Sequence, residues 1–493
     1  MMDETSRNRI YIVGAGFTGR TIASEIKRKN IFGRVVAFLD DDPEKIGKKV
    51  MGIPVLGPLE AVVEIIKTTP ADEAIIAIPS ATEEEIKRIY SILKKAEFSK
   101  IRIVPRVSQI LHGEAHLIQT REINPEDLLA RRPVKVDLRK SLQYLRGKRV
   151  LVTGAGGSIG SELSRQLLSG GAERLYLFGH GENSIYEIER ELKLLQEEGV
   201  GERASIVPII GELQDRDYMF FILERLKADV VFHTAAHKHV PLLEANPVEA
   251  IKNNVFGTKN IVEASKSSGV KRFVLISTDK AVNPTNVYGA SKLIAEEIVL
   301  HEGHNGYNYL VVRFGNVLGS TGSILPLFQK QIRKGGPLTI THPEATRFFM
   351  TIPEAASLVL KAGGTGKGGE LYILDMGEPV SIKELAEQIV KFYGFEPERD
   401  IKFVYTGLRP GEKLTESLWA EGEIPYATES KKIMMLKRNS MINGNLNGLI
   451  EKLRPICFLD RDNPRAFRNR KLLRTILHDA IPTIGLNGNE PEY

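Results

Sequence analysis

Two stretches with the same grammar constrain this chain more than anything else in it. RIYIVGAGFTGRTIASEIKRK (9–29) and RVLVTGAGGSIGSELSRQLLSGG (149–171) each read as an apolar strand, a glycine turn and a helical pattern. Two such openings imply two nucleotide-binding-type α/β units. At 493 residues the chain is too long for one compact core, which agrees with two or three domains.

The first opening continues as VVAFLDDDPEKIG (35–47), a strand-like DEAIIAIP (72–79), a helical pattern over 82–96 and IRIVP (101–105). This alternation predicts a small parallel sheet within residues 1–120. Residues 121–147 carry prolines and charges without sustained periodicity and read as a connector. The second opening leads to strands at 174–178, 205–209, 229–233, 272–278 and 310–316, with helices at 160–169, 183–198, 247–268 and 288–301. That predicts a doubly wound sheet over 148–316, with its ligand at the carboxyl ends of the strands. Past 317 the pattern loosens into glycine-rich turns, a helix at 381–393 and RPGEKLTESL (409–418). Residues 317–484 read as a smaller lobe with returns to the catalytic sheet, and 485–493 as a frayed tail. The expected fold class is α/β: two Rossmann-like doubly wound parallel sheets, the second with a smaller C-terminal substrate-binding lobe.

The two glycine turns differ. Gly14, Gly16 and Gly19 have G-x-G-x-x-G spacing, and Asp40 stands where a ribose-binding acid would. Such a turn places a pyrophosphate at a helix N-terminus. It can equally be kept for another nucleotide-like ligand, or for none. Gly154, Gly157 and Gly160 follow the more particular G-x-x-G-x-x-G spacing, with Ser158 and Ile159 opening the helix. Glycines here let a pyrophosphate approach the backbone. The second strand ends in LYLFGHGENS (175–184), with Gly179 where an NAD-selective site has a carboxylate. His180, Asn183 and Ser184 can hydrogen-bond a 2′-phosphate, whereas Glu182 keeps NAD open, so the cofactor is NADP or NAD.

Composition excludes several classes. A net charge of +6 over this length suits anionic small molecules better than a nucleic acid, which asks for clustered Lys and Arg. Cys457 is the only cysteine, so there is no intrachain disulfide or cysteine-rich metal site. His237 and His239 lack a third ligand at metal spacing, and no metal is expected. The polar N-terminus and the lack of a run of about 18 apolar residues give the expectation of a soluble, cytoplasmic protein without a membrane segment.

The densest chemistry lies in STDKAVNPTNVYGASK (277–292). Tyr288 and Lys292, four apart at the start of a helix, share a face. An ammonium beside a phenol lowers the tyrosine pKa from about 10 and makes a base for a sugar hydroxyl. Asp279 and Lys280 close the preceding strand; they are either a solvated loop pair or a second acid–base couple.

The strings TGAGGSIGSEL, HTAAHKHVPLLEANP, NNVFGTKN, STDKAVNPTNVYGASK, VRFGNVLGSTGSILPLF and LRPGEKLTESL together resemble the nucleotide-sugar 4,6-dehydratases of the polysaccharide-biosynthesis group. These are extended short-chain dehydrogenases/reductases acting mostly on UDP-N-acetylglucosamine. The resemblance covers roughly 125–460. Larger members have a nucleotide-binding-like domain ahead of the catalytic one, as residues 8–120 suggest, preceded by membrane helices that are not expected here. Many of them carry methionine where this chain has Tyr288.

The resemblance implies oxidation at sugar carbon 4 by bound NAD(P), loss of the carbon 5 proton, departure of the carbon 6 hydroxyl as water, and return of the hydride to carbon 6. It gives Asp279 the role of acid and Lys280 that of base, the latter on condition that burial or neighbouring cations lower its pKa. Thr278 would bond the carbon 4 oxygen, and Tyr288 with Lys292 would serve the carbon 4 hydroxyl and the cofactor. Further cofactor contacts are expected at Glu212, Leu213, Ala235 and Ala236. Substrate contacts are expected at Lys238, Asn316, Arg347, Arg409 and Glu412; guanidinium forks suit a diphosphate. A homo-oligomer built through helices flanking the sheet is expected. A nucleotide-sugar 4-epimerase and a non-catalytic dinucleotide-sensing module are the rival readings.

Overall fold

A computed structural model describes residues 8–29, 33–104, 141–201, 203–393 and 395–486, together with the backbone pairing of Arg121–Glu122. The chain divides into two compact units, Met1–Lys135 with Glu197–Val200, and Val136–Gln196 with Gly201–Tyr493. Of the expected connector, 123–140 lies outside the described residues, as does 487–493 of the expected tail.

The N-terminal unit is one sheet in the order Lys49–Val50, Ile53–Leu56, Arg34–Leu39, Arg9–Val13, Glu73–Ile76, Lys100–Ile103, Arg121–Glu122. The five inner strands run parallel and the two edge strands antiparallel. Alternation along the first strand explains the unbroken apolar run. Tyr11 and Val13 enter one core with Ala37 and Leu39, while Ile10 and Ile12 enter a second with Ile22 and Phe38. Both faces are covered, as parallel sheets require.

The C-terminal unit is a nine-stranded sheet in the order Ser205–Ile210, Arg174–Gly179, Arg149–Thr153, Val230–His233, Arg272–Thr278, Asn308–Phe314, Leu371–Leu374, Ile433–Lys437, Ile424–Ala427. The first seven are parallel. The winding reverses between Arg149–Thr153 and Val230–His233, which leaves a crevice at their carboxyl ends. An antiparallel hairpin, Ile424–Ala427 with Ile433–Lys437, completes the sheet.

That hairpin is held by charge deep in the core. Arg313 is fully buried and bonds Glu296 and Glu423, while Arg438 bonds Glu296, Glu297 and Glu423. Buried charges survive only when paired in this way.

Three elements depart from expectation. The helix read over 247–268 is three pieces, Pro247–Ile251, a π turn over Lys252–Phe256, and Gly257–Ser267. The π turn accommodates Asn253 and Asn254, both buried and both poor helix formers. The strand read over 310–316 is Asn308–Phe314, followed by a separate Asn316–Val317 paired with Phe349–Met350. Beyond 317 there is more regular structure than the pattern indicated, including helices Ile324–Arg333, Ile352–Thr365, Leu446–Cys457 and Arg470–Ala480. Helix Val287–His304 is buried along most of its length, and Leu446–Cys457 packs against it. Among the described residues no helix is long and apolar enough to cross a membrane.

Candidate active site

The crevice of the C-terminal unit opens into a cavity of 1230 Å³. One wall is the glycine turn. Gly154 has φ +67°, and a Cβ there would stand 2.8 Å from Ala235 Cα, so only glycine fits. A Cβ on Gly160 would overlap the Gly154 carbonyl oxygen. Gly157 caps helix Ser158–Ser169 without a side chain, and no acidic residue stands in the first turn. The helix therefore presents free backbone donors and its positive end to the cavity. Behind the turn, His233 is clamped between Thr153 Oγ1 at 2.7 Å and Thr258 Oγ1 at 3.0 Å. Burial, with Lys292 adding to it, pushes its pKa down to about 3, so it stays neutral and ties strands Arg149–Thr153 and Val230–His233 to helix Gly257–Ser267.

Thr278 ends strand Arg272–Thr278 and caps the short turn Asp279–Ala281, accepting from Lys280 N at 3.3 Å. Its hydroxyl donates to Asp279 Oδ1 at 3.0 Å, and Lys280 Nζ donates to the same oxygen at 3.0 Å and to Asn316 Oδ1 at 3.0 Å. Asp279 is fully buried and does not line the cavity; its Oδ2 has no hydrogen-bond partner. The neighbouring cavity wall is Gly315, where a Cβ would sit 3.0 Å from that oxygen. A missing side chain is thus what keeps Asp279 close to the cavity.

Two electrostatic expectations are corrected here. Burial by itself would lower the Lys280 pKa, but Asp279 and Glu416, with Tyr288, outweigh it and raise the value, so Lys280 rests as an ammonium. Burial also raises the Tyr288 pKa despite the opposing pull of Lys280 and of a hydrogen bond with Thr278. Lys292 is not the cation acting on that phenol. Its Nζ donates to the Ile276 carbonyl at 2.7 Å, and burial lowers its own pKa to about 8.

Most of the expected residues line this one cavity: Gly154, Gly157, Ser158, Ile159 and Gly160; His180, Ser184, Glu212 and Leu213; Ala235, Ala236 and Lys238; Thr278, Lys280, Tyr288 and Lys292; Asn316, Arg347, Arg409 and Glu412. Asn183 is exposed and not among the lining residues. Ser184 Oγ is spent on the Gly181 carbonyl at 2.8 Å. Arg347 is buried and already engaged, by Glu412 Oε1 at 3.1 Å and by the carbonyls of Thr346, Lys413 and Leu414. It organises the 409–414 loop, leaving the exposed Arg409 as the available fork.

Sequence reasoning missed Asn254 and Glu416. Asn254 accepts from His237 N at 2.9 Å and donates to Ser291 Oγ at 2.9 Å, joining the π turn to the helix of Tyr288. An Asn–Asn pair inside a helical pattern was the available signal. Among the described residues no group of three His, Cys, Asp or Glu is placed to hold a metal ion.

In the N-terminal unit, Gly14 has φ +101° and Gly19 packs on its carbonyl. Asp40, expected for a ribose, accepts from Ala15 N at 2.8 Å and pairs with Lys45 at 3.3 Å. It is tied to the turn itself.

Residues 150–438 match the family described as polysaccharide biosynthesis protein, and residues 3–105 match the CoA-binding domain family. The probable polysaccharide biosynthesis protein EpsC of Bacillus subtilis is 45% identical over 419 residues, 85% of this chain and 69% of that protein. UDP-N-acetylglucosamine 4,6-dehydratase (inverting) of Campylobacter jejuni is 31% identical over 349 residues, 67% of this chain and 98% of that enzyme. UDP-glucose 4-epimerase of Rickettsia rickettsii is 34% identical over 290 residues, 57% of this chain and 80% of that enzyme. The first family match takes in more than half of the sequence and the whole wall of the cavity, and the chain belongs to the polysaccharide biosynthesis protein family.

Proposed function

We propose that the C-terminal unit is a nucleotide-sugar 4,6-dehydratase acting on UDP-N-acetylglucosamine, with NADP or NAD bound in the glycine turn and regenerated at each turnover, in the synthesis of a surface polysaccharide or glycan. The glycine cradle suits a dinucleotide: Cβ atoms at Gly154 and Gly160 would close it, and the helix end, capped by Gly157 without a side chain, would offer a diphosphate its donors with no competing acid. A nicotinamide held there supplies the acceptor for the carbon 4 hydride and the donor to carbon 6.

The observation that carries the reading is the Asp279–Lys280 pair beside Tyr288. As an ion pair the two groups are in the wrong protonation states for dehydration. Passage of one proton along the 3.0 Å bond from Lys280 Nζ to Asp279 Oδ1 yields a carboxylic acid and a free amine together. The amine takes the carbon 5 proton, the acid gives its proton to the carbon 6 hydroxyl, and water leaves. The lysine then returns its proton to carbon 5 as the hydride reaches carbon 6. The carbon 4 hydroxyl proton, taken by Tyr288 as phenolate when that carbon is oxidised, passes to the free amine of Lys280 and restores the phenolate and the ion pair, so the sum is UDP-sugar to 4-keto-6-deoxy sugar plus water. Thr278 and Tyr288 hold the carbon 4 oxygen. Lys292, anchored at Ile276, positions the helix of Tyr288. Lys238 and Arg409 meet the nucleotide phosphates.

A 4-epimerase is the second reading, favoured by the Rickettsia relative; it needs Tyr288 and Lys292 but no acid–base couple at carbons 5 and 6. Incubation with UDP-N-acetylglucosamine, with and without added NAD(P)+, is expected to give a 4-keto-6-deoxy product by proton NMR. An equilibrium of gluco and galacto isomers alone overturns the dehydratase reading. Dinucleotide binding without turnover of any UDP-hexose would favour a sensing module.

A further inference from the structure

Glu416 belongs to no role assigned above, and it does not line the cavity. Its side chain is only 4% exposed, with Oε1 3.8 Å from Lys280 Nζ. Oε2 stands 4.0 Å from Lys413 Nζ and has no hydrogen-bond partner. Lys413 is itself directed to the Val282 carbonyl at 2.7 Å. Lys280 therefore lies between two buried carboxyl groups, Asp279 and Glu416, and each keeps one oxygen unpartnered. A buried carboxylate oxygen without a donor is costly, and a proton on it removes most of that cost.

Resting on the dehydratase reading, we propose that Glu416 is a positioning residue that sets the charge of Lys280. While Glu416 is ionised it favours the ammonium, and Lys280 is poorly able to take the carbon 5 proton. Once Glu416 is protonated that pull disappears, and the remaining exchange with Asp279 frees the amine. The charged groups around Glu416 are Lys280, Asp279, Arg347 and Lys413. Burial, helped by Asp279, raises its pKa against the pull of the three cations, which is the direction this role needs.

The test reads Lys280 directly, through the pH dependence of its 13Cε resonance in lysine-labelled full-length chain, assigned by its loss in Lys280→Arg. In Glu416→Gln the Lys280 midpoint should fall by about one pH unit, and the ascending limb of the dehydratase pH profile should fall with it. Glu416→Asp, which keeps the charge, should stay near the parent. An unmoved Lys280 midpoint in Glu416→Gln overturns the proposal. Should that variant fail to fold, the parent curve decides: coupling to Glu416 gives two inflections, and a single step overturns it. The resonance needs no turnover, so a chain that makes no 4-keto sugar sinks the dehydratase reading while this measurement still judges Glu416.

Discussion

Lys292 donates to the Ile276 carbonyl at 2.7 Å, so the helix that carries Tyr288 is fastened to the strand that ends in Thr278. The fastening places an ammonium that is 4% exposed inside the protein, and burial drops its pKa from 10.5 to about 8. The unfolded chain binds more protons than the folded one between those values, so stability rises with pH across that window and the full penalty stands below pH 8. Lys292→Met removes a penalty of about 3 kcal/mol and one hydrogen bond worth about 1 kcal/mol. At pH 7 the variant should be the more stable in urea, with the gap closing as pH rises toward 10. Turnover should be lost. A gap that does not change with pH shows that Lys292 is not a buried charge.

Asp279 and Lys280 differ in what they leave behind when removed. Asp279→Asn keeps an acceptor for Thr278 and Lys280 but cannot shuttle the proton. Its turnover should fall by roughly 10²–10⁴ while UDP-sugar affinity holds. Lys280→Ala should lose turnover to the same degree and still bind NAD(P)+, since its contacts are to Asp279, Asn316 and Glu416 and not to the glycine turn. Steady-state kinetics beside dinucleotide titration separates the two effects. Loss of cofactor binding in Lys280→Ala would make it a structural residue.

Arg313→Ala strands Glu296 and Glu423 in the core with Arg438 as their remaining cation. Removing one partner of such a cluster costs about 3–5 kcal/mol. Because Ser277 donates to Glu296 beside Thr278, the damage should reach the end of the catalytic strand. Urea unfolding should show the loss, and Glu423→Gln combined with Arg313→Ala should cost less than the sum of the two, since they share a partner.

The contrast between these residues explains what the sequence made legible. The glycine turns, the strands of both openings and the Tyr288–Lys292 spacing are local patterns set by turn chemistry and side-chain periodicity, and they lie where they were read. Glu423 meets Arg313 across 110 residues, and Lys280 meets Glu416 from a different part of the chain; neither pairing has a local signature. Returns from 317–484 to the catalytic sheet were expected, but the places and pairing of its final strands were not legible for the same reason, these strands being short and recruited from far along the chain. The Tyr288 pKa was read in the wrong direction because spacing gives proximity along a helix and says nothing of burial, which decides the sign here.

Gly160→Ala tests the cradle. The added methyl would overlap the Gly154 carbonyl and stand 2.9 Å from Ala155 Cα. Gly154 has little room to yield, because it holds φ +67° and even a Cβ added to it would stand 2.8 Å from Ala235 Cα. The strain must be relieved by opening the turn or by moving the start of helix Ser158–Ser169, and either displaces the backbone donors that face the diphosphate. Affinity for NAD+ and NADP+ should fall together, by roughly tenfold for each 1.4 kcal/mol of strain, with UDP affinity much less affected. Gly16→Ala in the N-terminal unit is the control: a Cβ there meets nothing within 4 Å, so the same substitution should change neither the melting curve nor dinucleotide binding. Titration calorimetry on both variants decides it. Should Gly16→Ala alone abolish dinucleotide binding, the cofactor belongs to the first glycine turn and the catalytic assignment of the second falls.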